Sequence, residues 1–238
     1  VVLTTGVLDQ GLHRLVVSNV RDRAWPSNTI AADGEVGFSM TATALGVDFE
    51  TADTTGWTVV EEGNTSGPSV WTVIGGRFVH GSDIHGPDSS ALALRKGTSA
   101  YWYEPTSRFW GDYRVEVSIR TPDDDGIGLL FRYRHPRNYY KLDLDRQRGF
   151  RKLFKMSDGV ETELASTAGG HEMDNDMLLE VTVTAGQIEA QLDGALIFGA
   201  PIADPAPLRS GTIALYSWGS MGVSFDDVSV ELSAVDDG

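Results

Sequence analysis

Between Trp57 and Leu232, apolar and polar residues alternate along short runs, and this period of two constrains the chain more than any other feature. Successive side chains of a strand point to opposite faces, so each run offers one face to a core and the other to water. In Tyr113–Arg120, the residues Tyr113, Val115, Val117 and Ile119 share one face, opposite Arg114, Glu116, Ser118 and Arg120. Ile127–Arg134 sets Ile127, Leu129, Phe131 and Tyr133 against Gly128, Leu130, Arg132 and Arg134. In Tyr139–Asp145, Tyr140, Leu142 and Leu144 oppose Tyr139, Lys141, Asp143 and Asp145. Leu179–Thr184 and Gln187–Leu192 alternate in the same way. Turn signals punctuate the runs at Gly75-Gly76, Asp125-Gly126, Asp158-Gly159 and Asp193-Gly194. No segment of useful length has a helical period, and Gly170–Met177 reads as a loop with one turn. Half-apolar strands imply antiparallel sheets, and many short ones between regular turns imply a sandwich or a barrel.

The first 45 or so residues read differently. Two plausible strands, Leu12–Val20 and Glu35–Thr43, flank Arg21–Asp33, and two strands cannot form a stable domain alone. We therefore divide the chain into a short β segment over residues 1–45 and an all-β domain over residues 46–235. The chain opens on Val1 with no signal peptide and is read as a mature product or a fragment of a longer protein.

Charge and cysteine content narrow the function classes. Thirty-four acids against 19 bases give a formal net charge of −15. Nucleic-acid binders need a basic surface to displace counterions, and anionic membranes attract basic segments, so neither partner is expected. Divalent cations, basic ligands and neutral sugars remain compatible. With no cysteine, disulfides, thiolate metal sites and cysteine nucleophiles are excluded together. No apolar run approaches the roughly 18 residues of a membrane span, so no membrane insertion is expected.

The most distinctive run is Gly126–Tyr133, followed by Asn138-Tyr139-Tyr140, Arg148–Leu153 and Asp158-Gly159. Leu192-Asp193-Gly194, Gly211–Tyr216 and Val223–Val230 come next in order, and Asp48-Phe49-Glu50 with Gly56-Trp57 opens the series. In that order the motifs resemble the concanavalin A-like lectin/glucanase superfamily, and within it the laminin-G-like modules of bacterial exported proteins. The resemblance spans about residues 47–232 and implies a two-sheet antiparallel jelly-roll sandwich. It implies a reaction much less firmly, because such a fold hosts lectins, adhesion modules, glycosidases and lyases. Leu12–Met40, with Leu15–Asp22, Asn28–Ala31 and Phe38, resembles the last part of a bacterial immunoglobulin-like domain, which implies a multidomain parent. The plain alternative is that these strands extend the main sandwich.

The final strand changes phase at Asp226-Asp227. Val223 and Phe225 lie on one parity, and Val228, Val230 and Leu232 on the other. One extra residue there is a bulge, and bulges re-aim side chains. Two carboxylates at a bulge could supply hard oxygen ligands for calcium. First and last strands of a jelly roll commonly pair, so Asp48 or Glu50 could join Asp226 and Asp227; relatives often bind calcium at such positions, which implies the same role here. The plain alternative is acids capping strand ends in an acidic protein. Asp123-Asp124-Asp125 reads as a solvated turn, and Gly81–Ser90, with Asp83, His85 and Asp88, reads as a loop.

A second candidate is a ligand face. Arg132, Arg134, Tyr139, Lys141, Asp143 and Asp145 lie on the polar side of successive strands, and Arg114, Glu116 and Arg120 could continue it. Guanidinium groups and carboxylates hydrogen-bond sugar hydroxyls, and aromatic rings stack on sugar faces. Trp218, in the Ser217–Gly222 turn, is the best exposed stacking candidate, whereas Trp57, Trp71 and Trp110 read as core or edge packing. The plain alternative is cross-strand ion pairing. For catalysis, Glu116, Asp143, Asp145 and Glu180 could form a glycosidase pair. The Glu-x-Asp-x-x-Glu strand motif of the superfamily's glucanases is absent, as are a Gly-x-Ser-x-Gly elbow and His-Glu-x-x-His spacing.

The reading that follows is a non-catalytic, calcium-stabilised carbohydrate- or glycan-binding module of a secreted or cell-surface bacterial protein, beside other domains of a longer parent chain. A carbohydrate-active enzyme on the same fold and a structural or adhesion spacer are the alternatives.

Overall fold

The computed structural model describes residues 12–17, 34–39, 42–86 and 96–233. Strands β1 (Leu12–Val17) and β2 (Gly34–Ser39) pair antiparallel as a two-stranded sheet of their own. The side chains of this pair, and Arg21–Asp33 between its strands, lie outside the described residues, so the immunoglobulin-like expectation does too.

The sandwich starts at β3 (Ala42–Val47), four residues before the boundary expected at 46. Next come β4 (Trp57–Glu61), β5 (Trp71–Ile74), β6 (Arg77–His80) and β7 (Thr98–Trp102). After a short 3-10 turn at Ser107–Phe109 follow β8 (Tyr113–Arg120), β9 (Gly126–His135) and β10 (Asn138–Asp145). Then come β11 (Phe150–Ser157), β12 (Val160–Ala168), β13 (Met177–Thr184) and β14 (Gln187–Leu192). Two-residue strands β15 (Ala195–Leu196) and β16 (Ile202–Ala203) precede the long β17 (Thr212–Trp218) and β18 (Val223–Leu232).

These strands form two antiparallel sheets. One has seven strands in the order β12-β11-β10-β9-β17-β7-β4. The other runs β15-β14-β13-β8-β18-β6-β5, with β16 beside β14 and β3 beside β18. The first and last strands of the sandwich pair, as expected for a jelly roll. Among the described residues the elements are strands and the one 3-10 turn, and no helix is long and apolar enough to cross a membrane.

The alternation sets the core. Tyr113, Val115, Val117 and Ile119 of β8 meet Ile127, Leu129 and Phe131 of β9 and Tyr140, Leu142 and Leu144 of β10, all buried between the sheets. Tight turns with left-handed residue pairs join the hairpins: Gly75-Gly76, Asp158-Gly159, Ala185-Gly186 and Asp193-Gly194. Such turns match the right-handed strand twist. Asp125-Gly126 is not a hairpin turn, because Gly126 already belongs to β9. At Gly128 the strands approach so closely that a Cβ would lie 1.9 Å from the Leu142 carbonyl oxygen.

One polar group sits inside this apolar layer. His80 of β6 is fully buried beneath Trp71, ring centroids 5.1 Å apart. Its Nδ1 is 3.1 Å from Ser217 Oγ, which itself donates to the Ser220 carbonyl at 3.1 Å. The hydroxyl oxygen is thus left to accept the Nδ1 proton. Among the described residues Nε2 has no hydrogen-bond partner. Burial pushes the imidazole pKa down to about 4.

Candidate functional site

The outer face of the seven-stranded sheet carries a second apolar cluster: Leu130, Tyr133, Tyr139, Met156, Ala214, Tyr216 and Trp218. Strand register explains its composition. Tyr101, Ala214, Leu130, Lys141, Phe154 and Glu163 stand opposite one another across β7, β17, β9, β10, β11 and β12. A neighbouring row runs Ser99, Tyr216, Gly128, Asp143 and Lys152. Lys141, Asp143 and Tyr139 therefore share this face, as the alternation predicted, and Trp218 joins them there.

Sharing a face does not make them available to a ligand. Lys141 is 1% exposed; its ammonium lies 3.3 Å from Glu161 and over the rings of Phe154 and Tyr216. Asp143 and Tyr139 are buried as well, and Tyr139 stacks on Tyr133 with centroids 5.9 Å apart. Trp218 was expected in an exposed turn. It is instead the last residue of β17, 4% exposed, with the Arg148 guanidinium 4.5 Å above its ring and His85 5.6 Å away. Its wide ring fills the sheet face and leaves no open surface for stacking.

Arg132 departs from its expected row altogether. It adopts φ +44° at a register shift in the β9–β17 pairing, and this bulge reverses the phase of the strand end. Its backbone N–H donates to the Tyr113 hydroxyl at 2.6 Å, and its guanidinium binds Asp112 at 2.6 Å and the Leu208 carbonyl. Arg132, 3% exposed, ties the two sheets together. The same shift moves Tyr133, expected in the core, to the outer face. Arg114, Glu116 and Arg120 also miss the face, because β8 belongs to the nine-stranded sheet.

Of the six expected ligand residues, Arg134 alone is exposed. It lines an open pocket of about 320 Å³ at one end of the seven-stranded sheet, between β7, β9, β17 and the 3-10 turn. Tyr101, Tyr103, Tyr133, Glu104 and Arg108 line it too. Tyr101 meets Tyr103 edge to face at 6.3 Å and lies 5.3 Å from Tyr133; Tyr103 is 63% exposed. Burial raises the Tyr133 pKa, so the phenol stays neutral and can donate a hydrogen bond. Tyr103 continues the β7 alternation past its end, a signal the sequence held in Tyr101-Trp102-Tyr103. Tyr133 was hidden by the bulge.

The proposed calcium ligands do not converge. The bulge exists: the β18–β8 register shifts between Asp226 and Ser229, and Asp227 has φ +47°. Asp226, however, lies 3.5 Å from Arg77, which also reaches Asp176 at 3.1 Å. Burial raises the Asp226 pKa, with Asp227 and Asp48 adding to the rise. Glu50 lies against Gly76 in the β5–β6 turn, whereas Asp48 and Asp227 line a shallow depression beside Glu116. Among the described residues, three carboxylates bring oxygens within 4.8 Å of one another at Asp123-Asp124-Asp125 and not at these four positions. A guanidinium supplies the positive charge that calcium was expected to bring, so this set does not fit the ion. Of Gly81–Ser90, Asp88 lies outside the described residues.

The acids weighed for catalysis are split between the sheets. Glu116 stands opposite Glu180 on the nine-stranded sheet, and Arg114 contacts both. Asp143 and Asp145 lie on β10 of the other sheet, where Arg148 lies 3.2 Å from Asp145 and 3.1 Å from Asp125.

No family model and no curated protein matches the sequence. Solved structures do. The carbohydrate-binding module CBM66 of Bacillus subtilis superposes with a TM-score of 0.58 at 19% identity, over 74% of this chain and 96% of the module. A Bacillus subtilis protein of unknown function with a galectin-like fold gives 0.60 at 14%, over 82% and 99%. Domain 4 of AbnA, an extracellular arabinanase of Geobacillus stearothermophilus solved with arabinotriose, gives 0.51 at 13%, over 82% and 94%. At such identities the likeness is one of fold, and the fold is a two-sheet antiparallel jelly-roll sandwich.

Proposed function

We propose that this chain is a non-catalytic carbohydrate-binding module of an exported, multidomain bacterial protein, and that its glycan sits in the Tyr101–Tyr103–Tyr133 pocket. The observation that carries the reading is the composition of that pocket. It pairs tyrosine faces for apolar sugar surfaces with Arg134, Arg108 and phenol hydroxyls for sugar hydroxyls. The fold shared with a carbohydrate-binding module and with a domain solved with arabinotriose supports it. The extracellular enzyme that carries the latter domain supports an exported setting, in line with the laminin-G-like and immunoglobulin-like resemblances. The separation of Glu116 and Glu180 on one sheet from Asp143 and Asp145 on the other favours binding over hydrolysis, because a glycosidase needs its two carboxyls facing one sugar.

A glycan microarray followed by calorimetry on the best ligand tests the reading. Tyr103→Ala and Arg134→Ala should each weaken binding roughly 10-fold or more, as expected for central contacts, with circular dichroism unchanged. Unaltered affinity in both variants, or silence across the array, would dismiss the pocket.

A further inference from the structure

The charges lining the pocket are unbalanced in a direction opposite to the whole chain. The protein carries a formal net charge of −15, yet the pocket's charged side chains are Arg108, Arg134 and Glu104. Glu104 is already committed. Its carboxylate accepts the Thr106 backbone N–H at 3.0 Å and the Thr106 hydroxyl. Arg108 is exposed and lies over the Phe109 ring, 4.6 Å from its centroid.

Elsewhere arginines find acids or, like Arg137 and Arg151, reach backbone carbonyls. Arg77, Arg114, Arg132, Arg146 and Arg148 each contact at least one carboxylate. Arg108 and Arg134 form no ion pair among the described residues, although acids outnumber bases 34 to 19. Two exposed guanidinium groups lining one cavity raise its local potential where the surrounding field is negative. A guanidinium fork matches a planar carboxylate in two parallel hydrogen bonds, and its charge makes them stronger than bonds to neutral hydroxyls.

We infer that this pocket selects an acidic saccharide, a sugar ring with its own carboxylate, received by Arg134 and Arg108 while the ring rests on Tyr103 and Tyr101. The inference builds on the reading of this pocket as the glycan site. At about 320 Å³ the cavity lies at the small end of the roughly 300–1,000 Å³ range of ligand pockets, which suits recognition of one such ring rather than a long chain.

The test uses matched ligands. Oligosaccharides ending in glucuronic, galacturonic or iduronic acid are each compared with the same molecule after reduction of that carboxyl to an alcohol. Calorimetry on the whole chain should give at least one acid form bound about 10-fold more tightly than its reduced partner. Arg108→Gln combined with Arg134→Gln should weaken the acid form more than the reduced form and so erase the difference between them, whereas Tyr103→Ala should weaken both by a similar factor and keep the difference. Equal affinity for acid and reduced forms overturns the inference and leaves glycan binding intact. Failure of every acid form while neutral glycans bind overturns it as well. Absence of binding to acidic and neutral sugars alike removes the glycan reading together with it.

Discussion

Acidification should unfasten this sandwich through His80. Above pH 6.5 the imidazole is neutral in the folded and unfolded chain alike. As pH falls, the unfolded chain takes up a proton at 6.5, but the folded chain resists until about 4. Stability is therefore lost across that window and levels off below it. At about 1.4 kcal/mol per pH unit, the full interval is worth about 3 kcal/mol, and about 2.5 kcal/mol of it is gone by about pH 4.5. That is a large share of the roughly 5–15 kcal/mol that holds a typical domain together. The cause is burial, which removes the imidazolium from water; Nδ1 already donates to Ser217, and a proton on Nε2 would have no acceptor among the described residues. Urea denaturation of the wild type and of His80→Phe at about pH 7.5 and about pH 4.5 isolates this contribution, because the carboxylates titrate in both proteins. The wild type should lose about 2.5 kcal/mol more than the variant between the two pH values. Parallel losses would show that the imidazole does not resist its proton, and the argument would fail.

Three more outcomes follow from positions already described. Arg132→Ala removes the buried guanidinium from Asp112 and the Leu208 carbonyl, leaving Asp112 the Ala185 N–H, and should cost about 3 kcal/mol in urea melts through lost stability rather than lost ligand contact; lost glycan affinity at unchanged stability would contradict this. Gly128→Ala forces a methyl group against the Leu142 carbonyl and should cost about 3 kcal/mol or more, or yield insoluble protein; a melting temperature like the wild type's would count against that close approach. Excess chelator should leave the melting temperature where it was, because Arg77 already neutralises Asp226; a drop of several degrees would restore the acids of β18 as a cation site.

The alternation located β8 and β14 at their observed ends and assigned their faces correctly, because each strand has one apolar and one polar side. The bulge of β18 was readable because valines and a phenylalanine mark the phase on both sides of Asp226-Asp227. The bulge of β9 was not. Leu130 and Tyr133 are buried on one face while Ile127, Leu129 and Phe131 are buried on the other, so composition carries no phase to interrupt. That is why Arg132 and Tyr133 exchanged roles. Trp218 was misplaced for a related reason: a glycine- and serine-rich stretch after it resembles a turn, but β17 runs through Trp218 and the turn begins two residues after the expected Ser217. The polar row Tyr139–Lys141–Asp143 was found on the right strand and face, but its burial depends on neighbours distant in sequence, such as Glu161.

The pairing of β3 with β18 places Ala42 directly across from Leu232. Entrance and exit of the sandwich thus lie about 5 Å apart. A unit threaded this way behaves like a plug with both leads on one side. It can be spliced into a surface loop of a host protein, or rewired to start at another hairpin, without prising the host's flanking segments apart.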